Sequence, residues 1–252
     1  MKKHHLLYFF LLYQQFDQVH YLLENNYEYS KRLLNFSIDN KIDFVYASSA
    51  SVYGLGEKGF KEDLENLNPI NAYAYTKYLF DNYVKKMIPL KSRNARIIGL
   101  RFFNVYGPGE YFKEDMSSPI YKFYRQLKRD KFCKDFDTYD GYKKGEHLRD
   151  FIHVNDCCEV INFLSEIKSN INIFNVGTGK PTTFLDIANL IINYLKLDED
   201  SIKFIPFPDN LKGNYQSYTC ADLNNLQKVG YNKNFLSISE GIKQYINYLE
   251  KD

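Results

Sequence analysis

The chain has no apolar run long enough to cross a membrane, and its charges nearly balance. A membrane-spanning helix needs about 20 predominantly apolar residues, whereas the strongest apolar stretch covers only residues 6–13. The 252 residues include 33 Lys and Arg and 31 Asp and Glu, for a formal net charge of +2. We therefore predict neither a membrane nor a nucleic acid as a partner.

Cysteine is also scarce, which argues against a disulfide framework. The four cysteines show no CxxC spacing: they are Cys133, Cys157, Cys158 and Cys220. Residues 6–13 mimic a signal peptide only faintly, because no small-residue cleavage site follows them. These observations predict reduced thiols, a cytoplasmic protein and no metal site.

A glycine fingerprint for dinucleotides is lacking as well. Gly54-Leu-Gly-Glu-Lys-Gly59 matches the letters G-x-G-x-x-G. That motif requires a helix directly behind it, so that the helix N-terminus meets the pyrophosphate. Here a polar segment follows and Pro69 comes soon after. We predict a flexible loop at this point instead.

Strands and helices alternate over the first part of the chain. The apolar run Ile42–Ala47 predicts a buried parallel strand. A helix is predicted over Tyr73–Met87, ended by Pro89, and the next strand over Arg96–Phe103. This alternation predicts an α/β fold with a doubly wound parallel sheet.

The pattern is looser beyond residue 107. Residues 129–147 are polar and show no clear period, whereas Ser237 and Glu240 have the spacing of a capping box. The remaining predicted helices are Pro119–Lys128, Asp156–Lys168, Thr183–Leu195 and Ile238–Leu249, and the remaining strands are Ile173–Val176 and Ile202–Phe207.

A serine at a strand end precedes a tyrosine–lysine pair on the following helix. Tyr73 and Lys77 are four residues apart and therefore share a helix face. A nearby cation favours the phenolate of a tyrosine, whose ordinary pKa is about 10. The Ser49 hydroxyl can bond the same substrate oxygen. The three residues predict a proton-transfer site for an alcohol; the alternative is a mere packing role for Tyr73.

This arrangement resembles the extended short-chain dehydrogenase/reductase family, whose Ser/Thr, Tyr and Lys work beside a bound nicotinamide. The resemblance extends over Asn25–Lys31, Tyr46–Gly54, Tyr73–Val84, Arg101–Pro108, Arg149–Val154, Phe174–Gly179 and Ile205–Gln216. Within the family, the chain is similar to the nucleotide-sugar epimerases. The last stretch is typical of those that invert C6″ of ADP-heptose for lipopolysaccharide synthesis.

The resemblance implies a Rossmann-like fold, NADP as the cofactor, ADP-heptose as the substrate and a homo-oligomer. Residues 1–105 would form the NAD(P)-binding domain. Residues 106–252 would form mainly a smaller substrate-binding lobe, with segments near 149–177 returning to the sheet. Family members begin with a βαβ unit of roughly 30 residues or more, for which this chain shows no counterpart. We therefore expect a shortened chain that does not bind NADP tightly and does not turn over.

The resemblance also assigns roles to single residues. Ser49, Tyr73 and Lys77 would be catalytic, together with Lys113 as a second acid/base in the loop after Asn104-Val-Tyr-Gly-Pro108. Without that alignment, Lys113 would be taken for a surface charge. The implied cofactor-binding residues are Asn26, Lys77 and Val105, and the implied substrate-binding residues are Asn104, Arg149 and Tyr215.

Some alternatives stay open at this stage. The chain departs from family members at Asp115, at Lys122 and in a longer loop at residues 139–148, so the resemblance assigns no substrate contacts there. A catalytically silent remnant that still binds nucleotide-sugar is one alternative to an active epimerase. Another nucleotide-sugar epimerase or dehydratase is a second.

Overall fold

The computed structural model describes residues 6–9, 19–91, 95–198 and 200–251. The chain divides into two compact units that each contain several separate segments. The first unit comprises Met1–Phe102, Ile161–Val176 and Asp222–Tyr231. The second unit comprises Phe103–Val160, Gly177–Ala221 and Asn232–Asp252.

Strands and helices are numbered here in chain order. The strands are β1 (Leu6–Phe9), β2 (Asp43–Ser49), β3 (Ile97–Phe102), β4 (Asn104–Tyr106), β5 (Cys133–Phe136), β6 (Leu148–Arg149), β7 (Phe151–His153), β8 (Ile173–Val176), β9 (Thr182–Thr183) and β10 (Ile202–Ile205). The α-helices are α1 (Val19–Leu22), α2 (Tyr29–Asp39), α3 (Ala72–Lys91), α4 (Pro119–Asp130), α5 (Val154–Glu166), α6 (Phe184–Leu195), α7 (Asn224–Lys228) and α8 (Ile238–Leu249). A π-helical segment covers Leu23–Glu28, and short 3₁₀ helices cover Ala50–Tyr53, Leu64–Asn66, Tyr111–Met116 and Asp209–Leu211.

The first unit is built on a parallel sheet with the strand order β1-β2-β3-β8. Neighbouring parallel strands need a crossover connection, and α3 supplies it between β2 and β3. The α/β fold with a parallel Rossmann-like sheet is thus confirmed. Helices α2 and α3 pack on this sheet through Leu34, Ile38, Phe44, Tyr46, Phe80, Val84 and Ile97.

The second unit has its own apolar core around α4, α6 and α8. Helix α6 contacts both α4 and α8, and α4 also contacts β5. Strand β5 pairs in parallel with β10, β4 in parallel with β7, and β6 antiparallel with β9. The most deeply buried apolar side chains here are Ile120, Leu127, Cys133, Ile187, Ala188, Ile191 and Ile246.

The observed local structure differs from the sequence analysis at three places. A strand, β1, pairs in parallel with β2, in a stretch for which the sequence analysis predicted no strand; residues 10–13 of this apolar stretch lie outside the described residues. Helix α3 continues past Pro89 to Lys91, because a proline removes only its own N–H bond and a helix can persist at a cost. Strand β5 lies in the segment that showed no period.

The loop interpretation of the glycine motif is confirmed. Gly54 ends the short helix Ala50–Tyr53 with φ +63°. A Cβ at this position would lie 2.0 Å from the Asn68 carbonyl oxygen. The chain then runs as turns and bends with no helix directly behind Gly59. This glycine therefore serves a close backbone approach within the loop, and not a phosphate.

The predicted capping box of α8 is present, so its removal has a calculable cost. The Ser237 hydroxyl accepts from the Glu240 N–H, while the Glu240 carboxylate accepts from the Ser237 N–H. We expect Ser237→Ala to lower the free energy of unfolding by about 1 kcal/mol. Urea unfolding measures this loss. Ser239→Ala, at an exposed position two residues on, is the matched control, and an equal loss there would contradict a capping role.

Candidate functional site

Ser49 is the last residue of β2 and caps the short helix Ala50–Tyr53. Its hydroxyl oxygen accepts from the Ser51 N–H at 3.2 Å and from the Ser51 hydroxyl at 3.0 Å. Both bonds use Ser49 as an acceptor, so its own O–H can donate. The side chain is half-buried at the carboxyl end of the sheet, where ligands of such sheets bind.

Tyr73 and Lys77 lie one turn apart on the buried side of α3. Both are nearly inaccessible to solvent, with 3% and 4% of their surface exposed. The Lys77 Nζ donates to the Ala47 carbonyl oxygen at 3.1 Å and lies 5.9 Å from the centroid of the Tyr73 ring. Lys77 is thus tied to β2 two residues before Ser49.

Burial lowers the pKa of Lys77 to about 8, and the Asp81 carboxylate opposes this shift. The ammonium form is disfavoured because it loses hydration inside the protein. A lysine of this kind can exchange a proton near neutral pH and still supply positive charge to a neighbouring phenol. These are the electrostatic conditions that an acid/base tyrosine needs.

Asn26 is attached to the same helix. Its side chain is buried, and its Nδ2 donates to the Thr76 hydroxyl oxygen at 3.3 Å. Thr76 in turn donates to the Tyr73 carbonyl oxygen at 2.7 Å. The structure therefore brings Asn26 to the turn of α3 that carries Tyr73 and Lys77.

A buried ion pair that the sequence analysis missed holds α3 to the sheet. Arg101 on β3 donates through Nε to Asp81 Oδ2 at 3.0 Å, and its Nη2 lies 3.0 Å from the same oxygen. The carboxylate also accepts from the Tyr46 and Ser48 hydroxyls of β2, each at 3.0 Å. Two features of the sequence could have indicated this ion pair: Arg101 stands inside an apolar strand, and Asp81 follows Lys77 by four residues.

The network continues to β8 and to the glycine loop. Arg101 Nη1 lies 3.0 Å from the Tyr53 hydroxyl, which donates to Asn175 Oδ1 at 2.7 Å. The Asn175 N–H donates to the Glu62 carboxylate at 3.0 Å, and its Nδ2 donates to the Phe60 carbonyl. This part of the network therefore joins β3, the short helix Ala50–Tyr53, the loop at residues 60–62 and β8.

The second unit carries the other predicted residues. Asn104 and Val105 lie on β4, where the Asn104 N–H donates to the Asp150 carbonyl oxygen at 3.0 Å. Lys113 lies half-buried in the short helix Tyr111–Met116, and its N–H donates to the Glu110 carbonyl at 2.9 Å. The Asp115 side chain lies outside the described part of the structure.

Arg149 and Tyr215 are brought together, as a common role requires. The guanidinium carbon of Arg149 lies 4.6 Å from the Tyr215 ring centroid, in cation–π geometry. Arg149 also donates to the Leu148 carbonyl at 3.3 Å and is 6% exposed. Burial lowers the pKa of Arg149, and the Tyr215 phenol opposes that shift. A cation held this way suits an anionic group.

Asp150, directly after Arg149, organises the neighbouring turns. It is fully buried, and its carboxylate accepts from the N–H groups of Thr178, Gly179 and Ala221 at 2.7–2.9 Å. Its own N–H donates to the Thr219 hydroxyl oxygen at 3.1 Å. Asp150 therefore fixes the strand that presents Arg149.

Comparison with known proteins places these features in context. A model of the NAD dependent epimerase/dehydratase family matches residues 13–177. The ADP-L-glycero-D-manno-heptose-6-epimerase of Brachyspira hyodysenteriae is 44% identical over 231 residues, which are 92% of this chain and 70% of that protein.

Solved structures of epimerases are also similar to this chain. A crystal structure of the Helicobacter pylori ADP-L-glycero-D-manno-heptose-6-epimerase matches with a TM-score of 0.80 at 25% identity, covering 97% of this chain and 73% of that one. A UDP-N-acetylglucosamine 4-epimerase of Methanobrevibacter ruminantium matches with a TM-score of 0.81 at 23% identity, covering 97% and 76% of the two chains. The second likeness concerns the fold alone.

Among the described residues, no helix combines the length and apolarity that a membrane crossing demands.

The buried ion pair predicts a large cost for removing one partner. We expect Asp81→Asn to lower the free energy of unfolding by about 3–5 kcal/mol, because it leaves the Arg101 charge buried without its counter-ion. Urea unfolding is the measurement. Adding Arg101→Met to this variant should recover part of the loss, and Glu24→Gln, an exposed carboxylate of the same unit, should cost little. A double variant worse than the single one would contradict this account.

The lowered pKa of Lys77 predicts how the free energy of unfolding changes with pH. Its pKa is about 8 in the folded chain, against an ordinary value of 10.5. Between these values the unfolded chain holds a proton that the folded chain has released, so the free energy of unfolding rises with pH. Below pH 8 both states are protonated and this contribution stays constant. Lys77→Met should abolish the rise, measured by urea unfolding across this range, whereas Lys85→Met on the exposed face of α3 should keep it.

Proposed function

Since this chain belongs to the NAD dependent epimerase/dehydratase family, we propose that it inverts C6″ of ADP-heptose by oxidation followed by reduction. The product would serve lipopolysaccharide synthesis. The observation that carries this proposal is the 44% identity to a heptose epimerase over 92% of the chain. The buried Tyr73–Lys77 pair supports it with the acid/base chemistry that the reaction needs.

The residues of the first unit fit a nicotinamide cofactor chemically. Asn26 lies on the π-helical segment and bonds Thr76 of α3, next to Lys77 on the same helix. A buried amide and a buried ammonium group are thus available there, and such groups hydrogen-bond ribose hydroxyls. In the second unit, Val105 would line the nicotinamide. The family name supports a nicotinamide dinucleotide, and the resemblance to heptose epimerases favours NADP. When bound, the cofactor accepts the C6″ hydride with its electron pair and later returns it.

The chain itself handles the protons. During oxidation, the Tyr73 phenolate oxygen takes the proton of the C6″ hydroxyl while the hydride leaves the same carbon, and a carbonyl group results. The Lys77 charge favours the phenolate that this step consumes. The Ser49 O–H donates to the substrate oxygen and holds it at the phenol. Both groups act at the carboxyl end of the sheet.

Inversion requires a second acid/base group. After the hydride returns to the opposite face of the carbonyl, the new hydroxyl points in a different direction from the old one. One acid/base group therefore serves the two epimers poorly. We assign the second role to Lys113, whose ammonium group gives a proton to the carbonyl oxygen as the hydride arrives. The two steps together leave no net oxidation, and proton exchange with solvent returns Tyr73 to the phenolate and Lys113 to the ammonium form.

Substrate binding falls to groups of the second unit. Arg149 has a planar fork that can donate two parallel hydrogen bonds to a diphosphate oxygen pair. Its contact with the Tyr215 ring keeps the guanidinium in place without neutralising it. Asn104 would add a neutral donor and acceptor for sugar hydroxyls. The three side chains together suit a nucleotide-sugar.

Two variants test the two-base proposal. We expect Tyr73→Phe and Lys113→Met each to lower the rate of epimerisation by on the order of 10²-fold or more, because each removes a positioned acid/base group. The measurement follows the interconversion of ADP-heptose epimers in the presence of NADP or NAD, which also compares the two cofactors.

Matched controls remove similar groups from exposed positions. The controls are Tyr75→Phe and Lys243→Met. Tyr75 lies on α3 with half of its surface exposed, and Lys243 lies on the exposed face of α8. Both should keep the parent rate. Near-normal turnover by Lys113→Met would remove that residue from the mechanism. Binding of ADP-heptose with no turnover by the parent chain would favour the silent alternative.

A further inference from the structure

A buried carboxylate closes the loop that carries Lys113. We call residues Gly107–Ser118 the Lys113 segment. Glu110 is only 3% exposed. Its Oε1 accepts from the Gly107 N–H at 2.9 Å and from the Ser118 hydroxyl at 3.0 Å, and its Oε2 accepts from the Ser118 N–H. One side chain therefore bonds both ends of the segment.

This arrangement is costly to build, which indicates that it matters to the fold of the segment. A buried carboxylate loses hydration and needs hydrogen bonds to its charged form, and such charge-assisted bonds are among the stronger ones in proteins. Ser118 also caps α4 by accepting from the Tyr121 N–H at 3.3 Å. Glu110 thus links the segment to a rigid helix of the second unit.

The tip of the segment is exposed, and hydrogen bonds within the segment hold its backbone. Tyr111 and Phe112, the two residues before Lys113, are 68% and 67% exposed. Glu114 holds a positive φ of 47° inside the short helix, a conformation that a non-glycine residue keeps only when its surroundings impose it. At the base, a Cβ at Gly107 would lie 2.8 Å from Val154. The segment is therefore fixed at its base and open at its tip.

We propose that Glu110 is a positioning residue for Lys113, holding both ends of the Lys113 segment so that the lysine meets the substrate oxygen in one place. This inference rests on the proposed function, because it takes Lys113 as the second acid/base. Glu110 itself touches no reacting atom. It acts through the backbone, since the Lys113 N–H donates to the Glu110 carbonyl while the Glu110 carboxylate fixes Gly107 and Ser118.

The first experiment measures the segment directly and needs no turnover. Glu110→Gln and Glu114→Gln are compared with the parent chain by amide hydrogen exchange. Both variants remove one negative charge from the same segment, but the Glu114 side chain is exposed. We expect faster exchange over residues 107–118 in Glu110→Gln only, because this variant weakens the hydrogen bonds from Gly107 and Ser118 to the Glu110 side chain. Unchanged exchange in that variant would overturn the proposal.

The second experiment separates positioning from a general structural effect. Reduction of the nicotinamide is followed on mixing with each C6″ epimer of ADP-heptose separately. Tyr73→Phe and Lys113→Met should each impair mainly one epimer. Glu110→Gln should repeat the Lys113→Met pattern, with at least about a tenfold loss for that epimer and a near-parent rate for the other. Equal losses with both epimers would overturn the proposal.

The two experiments also distinguish failure of the inference from failure of the proposed function. If the parent chain reduces nicotinamide with neither epimer, the proposed function is wrong, and the role for Lys113 falls with it; the exchange data then show a structural closure only. If Glu110→Gln does not fold, Ser118→Ala replaces it. This variant removes the Ser118 hydroxyl bond to Glu110 together with the cap of α4, and it should show the same asymmetry between epimers at a smaller size.

Discussion

The buried ion pair between Arg101 and Asp81 is the constraint on which the first unit depends. A charge inside a protein must be paired and hydrogen-bonded, and here the partners come from β3 and α3. Two hydroxyls of β2 complete the carboxylate's bonds. These bonds hold helix α3 to both strands of the sheet. Tyr73 lies about two turns and Lys77 about one turn before Asp81 on that helix, so the same pair fixes the position of the proposed acid/base residues.

The second unit uses buried carboxylates for a related purpose. Asp150 accepts three backbone N–H groups from two turns, and Glu110 accepts two from the ends of the Lys113 segment. Loops carry unpaired backbone groups that must find partners once buried. A carboxylate that takes several of them makes a loop rigid without a large apolar core. Residues such as Arg149 and Lys113 are thereby presented from ordered backbone.

Much of the first unit followed from local pattern. The strand before Ser49 and the helix that opens near Tyr73 were predicted from apolar runs and i, i+4 spacing. In the second unit, the capping box of α8 was predicted from its cap residues. The failures were of two kinds. Strand β5 has no local signature because its stability comes from pairing with the distant β10. The end of α3 was misplaced because tertiary packing can carry a helix beyond a proline.

The sequence by itself determined the fold class and the identity of the acid/base candidates, because periodicity and i, i+4 spacing are short-range properties that survive any packing. Only the tertiary structure decided which buried groups support them. Arg101 and Asp81 are 20 residues apart in the chain, and Tyr53 and Asn175 are 122 apart. No local rule pairs such residues. Their hydrogen bonds exist because the parallel sheet brings β2, β3 and β8 side by side, and burial then requires every polar group among them to find a partner.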